Sequence, residues 1–165
     1  MTQGKEPGLG VALRQAWVGY RRRIDDQLAE AGFGDRGFPD GRVLTICSKE
    51  GDVTISSIGR ELGMTRQGAS KLVASLRTRG YVTLRPSRAD AREKVVVLTP
   101  RARAFLRVQQ EAARRIERSV ASDIGAEAFD VLRRTLDLLG GDQQPHLRDY
   151  LKESLSRGGT AGLQD

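Results

Sequence analysis

The stretch Thr65-Arg66-Gln67-Gly68-Ala69-Ser70-Lys71-Leu72-Val73-Ala74-Ser75-Leu76-Arg77-Thr78-Arg79-Gly80-Tyr81-Val82 decides the fold. Ala69, Leu72, Val73 and Leu76 recur at the i, i+3, i+4, i+7 spacing that draws one apolar face along a helix. Thr65 can start that helix, because its hydroxyl can accept one of the orphan N–H groups two or three residues on. Gly80 ends it, as the residue that tolerates a left-handed backbone. Immediately upstream, Thr54 to Leu62 reads as a two-turn helix with Ile55, Ile58 and Leu62 apolar, broken by Gly63-Met64. Ile58, Leu62, Ala69 and Leu72 are the positions that close the two helices on each other, with Gly59 permitting close approach and Gly63 making the turn.

Downstream, Tyr81 to Arg85 alternates as a strand does, Pro86 to Arg92 is a polar turn segment, and the β-branched run Lys94 to Leu98 is the return strand. Two helices joined by a tight turn and followed at once by a hairpin make a winged helix-turn-helix, here expected over 38–99. A short helix from Phe38-Pro39-Asp40 to about Ser48, carrying Val43, Leu44 and Cys47, precedes it. Outward again lie the flanking helices. Leu13, Trp17, Tyr20, Ile24 and Leu28 form a stripe between Leu9 and Ala31. Thr99-Pro100 opens a helix to about Ala121, since proline suits the first helical position. Ser122 or Asp123 can cap a last major helix with Phe129, Leu132, Leu136 and Leu139 in register, stopped by Gly140-Gly141. A weaker helix is expected from Pro145 to Ser156. The fold class is mainly α with a small antiparallel β-hairpin: a winged helix flanked by helical regions at 9–31 and 100–156, with 1–8 and 157–165 expected to be disordered.

The charge is distributed unevenly. The 165 residues carry a net +7. Residues 57–103 hold eleven basic side chains against three acidic ones, a local +8, and the remainder holds seventeen against eighteen, a local −1. A local basic block is an electrostatic footprint for a polyanion. Other classes fall away. The single cysteine, Cys47, excludes an intrachain disulfide and a multi-cysteine metal site, and the single histidine, His146, leaves little for histidine catalysis or zinc. No apolar run approaches the ~20 residues of a membrane span, and Met1 to Gly10 lacks the apolar core of a signal peptide. There is no GxxxxGK phosphate loop and no histidine–nucleophile pair, so an enzyme is not expected, nor a cofactor; the expected setting is cytoplasmic.

The chemistry of the second helix fits a DNA major groove, which such a helix enters leading with its N-terminal residues. Thr65, Arg66, Gln67, Gly68, Ser70 and Lys71 stand there. Arginine can bond guanine O6 and N7, and glutamine adenine N6 and N7. Serine, lysine and the helix N-terminal amides suit phosphates, and Gly68 would let a backbone approach the groove. In the wing, Arg88 and Arg92 can reach a minor groove, whose narrow form concentrates negative potential. Asp90, being anionic, is expected to orient a neighbouring arginine.

Residues 42–106 resemble the MarR family (multiple antibiotic resistance regulators) of bacterial winged-helix repressors. The resemblance is carried by Thr65-Arg66-Gln67-Gly68-Ala69-Ser70-Lys71, by Leu76-x-x-Arg79-Gly80-Tyr81-Val82, by Asp90-x-Arg92 and by Val97-Leu98-Thr99-Pro100. Ala102 stands where the family often has glycine. The resemblance implies a homodimer joined through helices of both termini, a pseudo-palindromic operator, commonly autoregulation, and release by a small ligand or an oxidant. It also implies that Arg92 is the minor-groove arginine and Asp90 its partner.

Independently, the flanking helices carry apolar stripes with no obvious partner in so small a core, which points to pairing with a second copy. Trp17, Tyr20 and Arg21 could border a pocket for an aromatic or anionic effector, the arginine holding a carboxylate, against the plainer reading of the two rings as core or interface residues. Cys47 reads as a small buried hydrophobe, and it is not on the first helix, where the family's peroxide sensors carry their reactive cysteine. The expected function is a sequence-specific, dimeric, DNA-binding transcriptional repressor. The alternatives are a non-specific architectural DNA binder and a winged-helix protein-interaction module.

Overall fold

A computed structural model of the chain describes residues 8–36, 39–49, 52–87 and 92–141. The elements run α1 (Leu9–Glu30), α2 (Asp40–Cys47), α3 (Ile55–Leu62), α4 (Arg66–Thr78), β1 (Val82–Pro86), β2 (Lys94–Leu98), α5 (Pro100–Ile124) and α6 (Ala126–Gly140). The chain is mainly helical with one two-stranded antiparallel sheet, as the patterning predicts. The expected helix at 145–156, the segment 157–165 and residues 1–7 lie outside the described residues; Gly8 is the N-cap of α1.

The chain divides into two compact units: Met1–Arg36 with Arg107–Thr135, and Gly37–Leu106 with Leu136–Asp165. The second contains the helix-turn-helix and its hairpin. There, α3 begins at a reciprocal cap in which Thr54 Oγ1 accepts the Ser57 N–H at 3.2 Å and Ser57 Oγ accepts the Thr54 N–H at 3.0 Å. Two orphan donors are satisfied at once. Gly63 closes α3 with φ +65°, a left-handed conformation that a Cβ would strain. Gly59 is buried, and a Cβ on it would lie 3.2 Å from the Met64 carbonyl oxygen and 3.5 Å from Ala69 Cβ. The absence of a side chain there is what lets α4 pack tightly against α3.

Around this junction Val43, Leu44, Ile58, Leu62, Ala69, Val73, Leu76, Tyr81 and Val95 are buried. Leu72 is only half-buried, so Val73 and Leu76 rather than Leu72 complete the inward face of α4. At the far end of α4, Gly80 has φ +78° and the Tyr81 N–H returns to the Leu76 carbonyl at 2.9 Å. Thr99 joins this corner to α5. Its hydroxyl lies 2.8 Å from the Gly80 carbonyl oxygen and 3.0 Å from that of Tyr81, and its oxygen accepts the Ala102 N–H at 3.3 Å. The Leu-Thr-Pro sequence is therefore both the end of the hairpin and the start of a helix. Tyr81 itself is enclosed by Phe105 edge-on at 5.8 Å and by the Arg101 guanidinium 4.8 Å from its ring centre.

One polar group lies in this core. Asp40, on the first turn of α2, is 2% exposed. Arg79, the C-cap of α4, grips it with both terminal nitrogens, at 2.6 Å and 3.2 Å. The paired geometry satisfies both carboxylate oxygens, which a buried charge requires.

In the first unit Leu28, Phe33, Ala112 and Ile116 are buried. The stripe on α1 is buried only towards its C-terminal end: Leu28 is fully covered, whereas Trp17 is 41% exposed. The boundary between the last two helices differs from expectation. Neither Ser122 nor Asp123 caps α6; both lie inside α5, which runs on to Ile124. Gly125, with φ +88°, makes the break, and its carbonyl accepts the Phe129 N–H at 3.0 Å. A left-handed glycine ends a helix more decisively than a serine or aspartate begins one. No residue of α6 is buried.

Removing Arg79 takes away the paired guanidinium that holds the buried Asp40 carboxylate. Arg79→Ala is expected to lower unfolding stability by about 3 kcal/mol, the low end of the range for breaking a buried pair, because the arginine retains some contact with solvent. Urea denaturation of the variant checks this; a midpoint unchanged from wild type would show that the pair does not anchor the fold.

Candidate nucleic-acid interface

The N-terminal end of α4 is fixed by Thr65, whose hydroxyl accepts the Gly68 N–H at 3.1 Å. With Ala69, Val73 and Leu76 turned inward, Arg66, Gln67, Ser70 and Lys71 are all exposed on the outer side of the same helix. The helix thus offers two long cations, an amide and a hydroxyl from its first turns. Gly68 has a local reason to be glycine that the sequence did not disclose: a Cβ there would sit 3.3 Å from Met64 Cε and 3.4 Å from Thr65 Oγ1, against the cap itself.

The wing is an antiparallel hairpin paired from Val82↔Leu98 to Pro86↔Lys94, and the Ser87 N–H extends it to the Glu93 carbonyl at 2.9 Å. Its base has an edge that sequence reasoning missed. The Val96 N–H bonds the Val53 carbonyl at 2.8 Å, and Thr54 bridges Val95. The segment before α3 is therefore a short third edge that fixes the hairpin beside the helix-turn-helix. Asp52, next to this edge, holds Arg85 at 2.6 Å and lies 3.4 Å from the Ser87 hydroxyl. Arg92 is exposed where the wing returns. Arg88 and Asp90 lie outside the described residues.

These contacts divide the basic block. Arg79 is engaged with Asp40 and Arg85 with Asp52, both carboxylates supplied from outside 57–103. Arg103 donates to the Leu98 carbonyl at 3.0 Å and Arg101 covers Tyr81. Four of the arginines counted in the sequence thus have roles in holding the fold. Of the block's other described cations, Arg60, Arg66, Lys71, Arg77, Arg92 and Lys94 are exposed, and Arg66, Lys71, Arg92 and Lys94 stand at the start of α4 and on the return of the wing. Arg66, Arg92 and Lys94 line one groove of about 160 Å³ between the start of α3, the start of α4 and the base of the wing, together with Thr54 and Ser56. Lys94 and Ser56 are additions to the residues picked from sequence. Lys94 was visible only as one charge in a basic run, and Ser56 carried no signal.

The α1 residues are arranged differently. Trp17 and Tyr20 stack with ring centres 6.2 Å apart and planes 18° from parallel. Burial raises the Tyr20 pKa, with Glu117 adding to it. Arg21 lies 3.9 Å from Asp25, and the same Asp25 carboxylate pairs with Arg36. An acid ligand seeking Arg21 would meet a carboxylate already beside it. Among the described residues no group of three or more histidine, cysteine, aspartate or glutamate side chains could hold a metal ion, and no helix is long and apolar enough to cross a membrane. His146 lies outside the described residues.

Residues 36–93, which hold α2, the helix-turn-helix and β1, match the family model described as MarR family. That segment is similar to the MarR family. None of the curated proteins matches the chain. Among solved structures, MepR of Staphylococcus aureus in complex with DNA superposes with a TM-score of 0.65 at 17% identity, covering 77% of this chain and 93% of MepR. The transcriptional repressor CouR bound to a 23-mer DNA duplex gives 0.65 at 22% identity, covering 86% and 99%. YusO of Bacillus subtilis gives 0.64 at 13%, covering 81% and 93%. At these identities the likeness is one of fold. The shared fold therefore extends well beyond the matched segment.

Cys47 stands on α2 and is half-buried. Burial, and then the negative charge of Glu61, push its thiol pKa up to about 12. The thiolate is the reactive form, so at neutral pH this cysteine is inert. Its alkylation by iodoacetamide at pH 8 is expected to be at least roughly a hundredfold slower in the native protein than in the urea-unfolded chain, whose thiol titrates near pH 8.5. Equal rates would show that the thiol is neither buried nor held neutral.

Proposed function

We propose that the protein is a sequence-specific transcriptional repressor that binds a pseudo-palindromic operator as a homodimer. The observation that carries the reading is the convergence of Arg66, at the start of α4, with Arg92 and Lys94, at the base of the wing, on one groove. A helix offering Arg66, Gln67, Ser70 and Lys71 can read base edges in a major groove. A wing arginine beside it can enter the adjoining minor groove or hold its phosphates. Arg92 takes the reading role and Asp90 is its partner by family resemblance. The repressor sign is supported by the shared fold with CouR, itself a repressor.

Homodimerisation is supported by uncovered apolar surface. On α1, Leu9, Val11, Trp17 and Val18 are exposed; on α6, Val131, Leu132, Leu136, Leu138 and Leu139 are exposed, Leu138 at 83%. Monomeric proteins rarely leave so many large apolar side chains in water along whole helices. A second copy would cover them and pair two recognition helices on one duplex face, about 34–36 Å apart. Trp17 and Tyr20 suit this interface better than an acid-binding pocket, given the carboxylate beside Arg21.

The test is binding of a palindromic site against bulk DNA across a salt series. Log Kd is expected to change steeply with log salt, about 0.9 for each phosphate engaged. The palindrome should resist competition by bulk DNA. Arg92→Ala is expected to cost about 1–3 kcal/mol of operator affinity. A flat salt response contradicts the electrostatic reading. Equal affinity for palindrome and bulk DNA would leave an architectural binder, and no DNA shift at low salt a protein-interaction module.

A further inference from the structure

The groove at the base of the wing has a chemistry more specific than a basic surface. Arg66 comes from the first turn of α4, whereas Arg92 and Lys94 flank Glu93 on the returning side of the wing. The groove's remaining wall is the first turn of α3, including Thr54 and Ser56. Cations from two elements distant in sequence therefore face a helix start whose first amides cannot be satisfied within the helix. The Thr54–Ser57 cap satisfies two donors and locks that turn in place. Among the described residues no carboxylate pairs with Arg66 or Lys94. Glu93 is the one carboxylate in the lining, set against three cations. The strand pairing Val96–Val53 and the Thr54–Val95 bridge tie the two walls together, so the groove is built into the fold.

We propose that this groove is a seat for a single phosphate group, held by Lys94 beside the Ser56 hydroxyl, with Arg66 and Arg92 at its margins lending positive field. It rests on the DNA-binding reading, of which it is a refinement: the seated group is a backbone phosphodiester of the strand that runs between the major groove read by α4 and the minor groove reached by the wing. The seat fixes register and contributes affinity without reading sequence. Lys94 is then a positioning residue outside the base-reading set. Glu93 opposes the anion and limits its hold. A free phosphate-bearing molecule would satisfy the same groups, so the experiment must separate the two sources.

Lys94 is exposed, and Lys94→Ala is expected to fold normally. In the variant, affinity for specific and bulk DNA should fall by the same factor, and the salt slope should decrease by about 0.9, the contribution of one phosphate. A scan of duplexes carrying one neutral methylphosphonate at a time should show a position in each half-site that weakens wild type and leaves Lys94→Ala unaffected. Glu93→Gln should shift affinity the other way. Titration of the protein with inorganic phosphate, without DNA, forms the second arm. The methylphosphonate result establishes the seat as one for a DNA phosphodiester. Lys94-dependent binding of inorganic phosphate, with no such position in the duplex, overturns the DNA assignment and leaves a free-anion seat. Unchanged slope and scan together with no phosphate binding overturn the proposal entirely. If wild type shifts no DNA at low salt yet binds phosphate through Lys94, the DNA-binding reading fails while the seat stands.

Discussion

The recognition helix is anchored at its C-terminal end by a buried carboxylate. Arg79 leaves the last turn of α4 and closes both terminal nitrogens on Asp40 of α2. Such a pair is costly to form and more costly to break, because the buried carboxylate then loses its paired guanidinium. It therefore acts as a directional constraint: α4 can sit against α2 in one register and few others. At the opposite end, the missing side chain of Gly59 allows Ala69 to approach within van der Waals contact of α3. Between these two fixings the apolar face of α4 is determined, and so is the outward aim of Arg66, Gln67, Ser70 and Lys71. The Thr99 hydroxyl, shared between the Gly80–Tyr81 corner and the start of α5, extends the same constraint into the hairpin.

The positive charge of the chain serves two ends. Part of it is internal scaffolding: Arg79 and Arg85 are matched by Asp40 and Asp52, and Arg101 and Arg103 cover or bond the hairpin. Another part, Arg66, Lys71, Arg92 and Lys94, is exposed on α4 and on the returning side of the wing. This division matters energetically. Cations already satisfied by the protein gain little from a phosphate, whereas outward ones release counterions when DNA binds. A count of basic residues thus overstates the electrostatic footprint.

Much of this was legible in the sequence because it is local. The period of Ala69, Leu72, Val73 and Leu76 marked the apolar face of α4, although Leu72 is only half-buried, and the threonines at 65 and 99 and the glycines at 63 and 80 marked helix ends through their own chemistry. The hairpin strands followed from alternation and β-branching. What was not legible is long-range or geometric. Asp40 and Arg79 are 39 residues apart and carry no pattern that pairs them. The third edge at Val53–Thr54 is too short to show periodicity. Ser122 and Asp123 looked like caps, but a left-handed conformation at Gly125 governs that break, and the capping preference of serine and aspartate is too weak to interrupt a helix that can continue. The apolar stripe of α6 was read correctly as apolar, yet periodicity cannot say what covers it; the structure shows it uncovered.

The most direct test of paired winged helices reading DNA is to select bound fragments of the source genome, with the full-length protein as bait, and sequence them. The account predicts enrichment of one inverted repeat with half-site centres about one helical turn apart. Recovery of fragments with no shared motif, or of a motif lacking dyad symmetry, would contradict it.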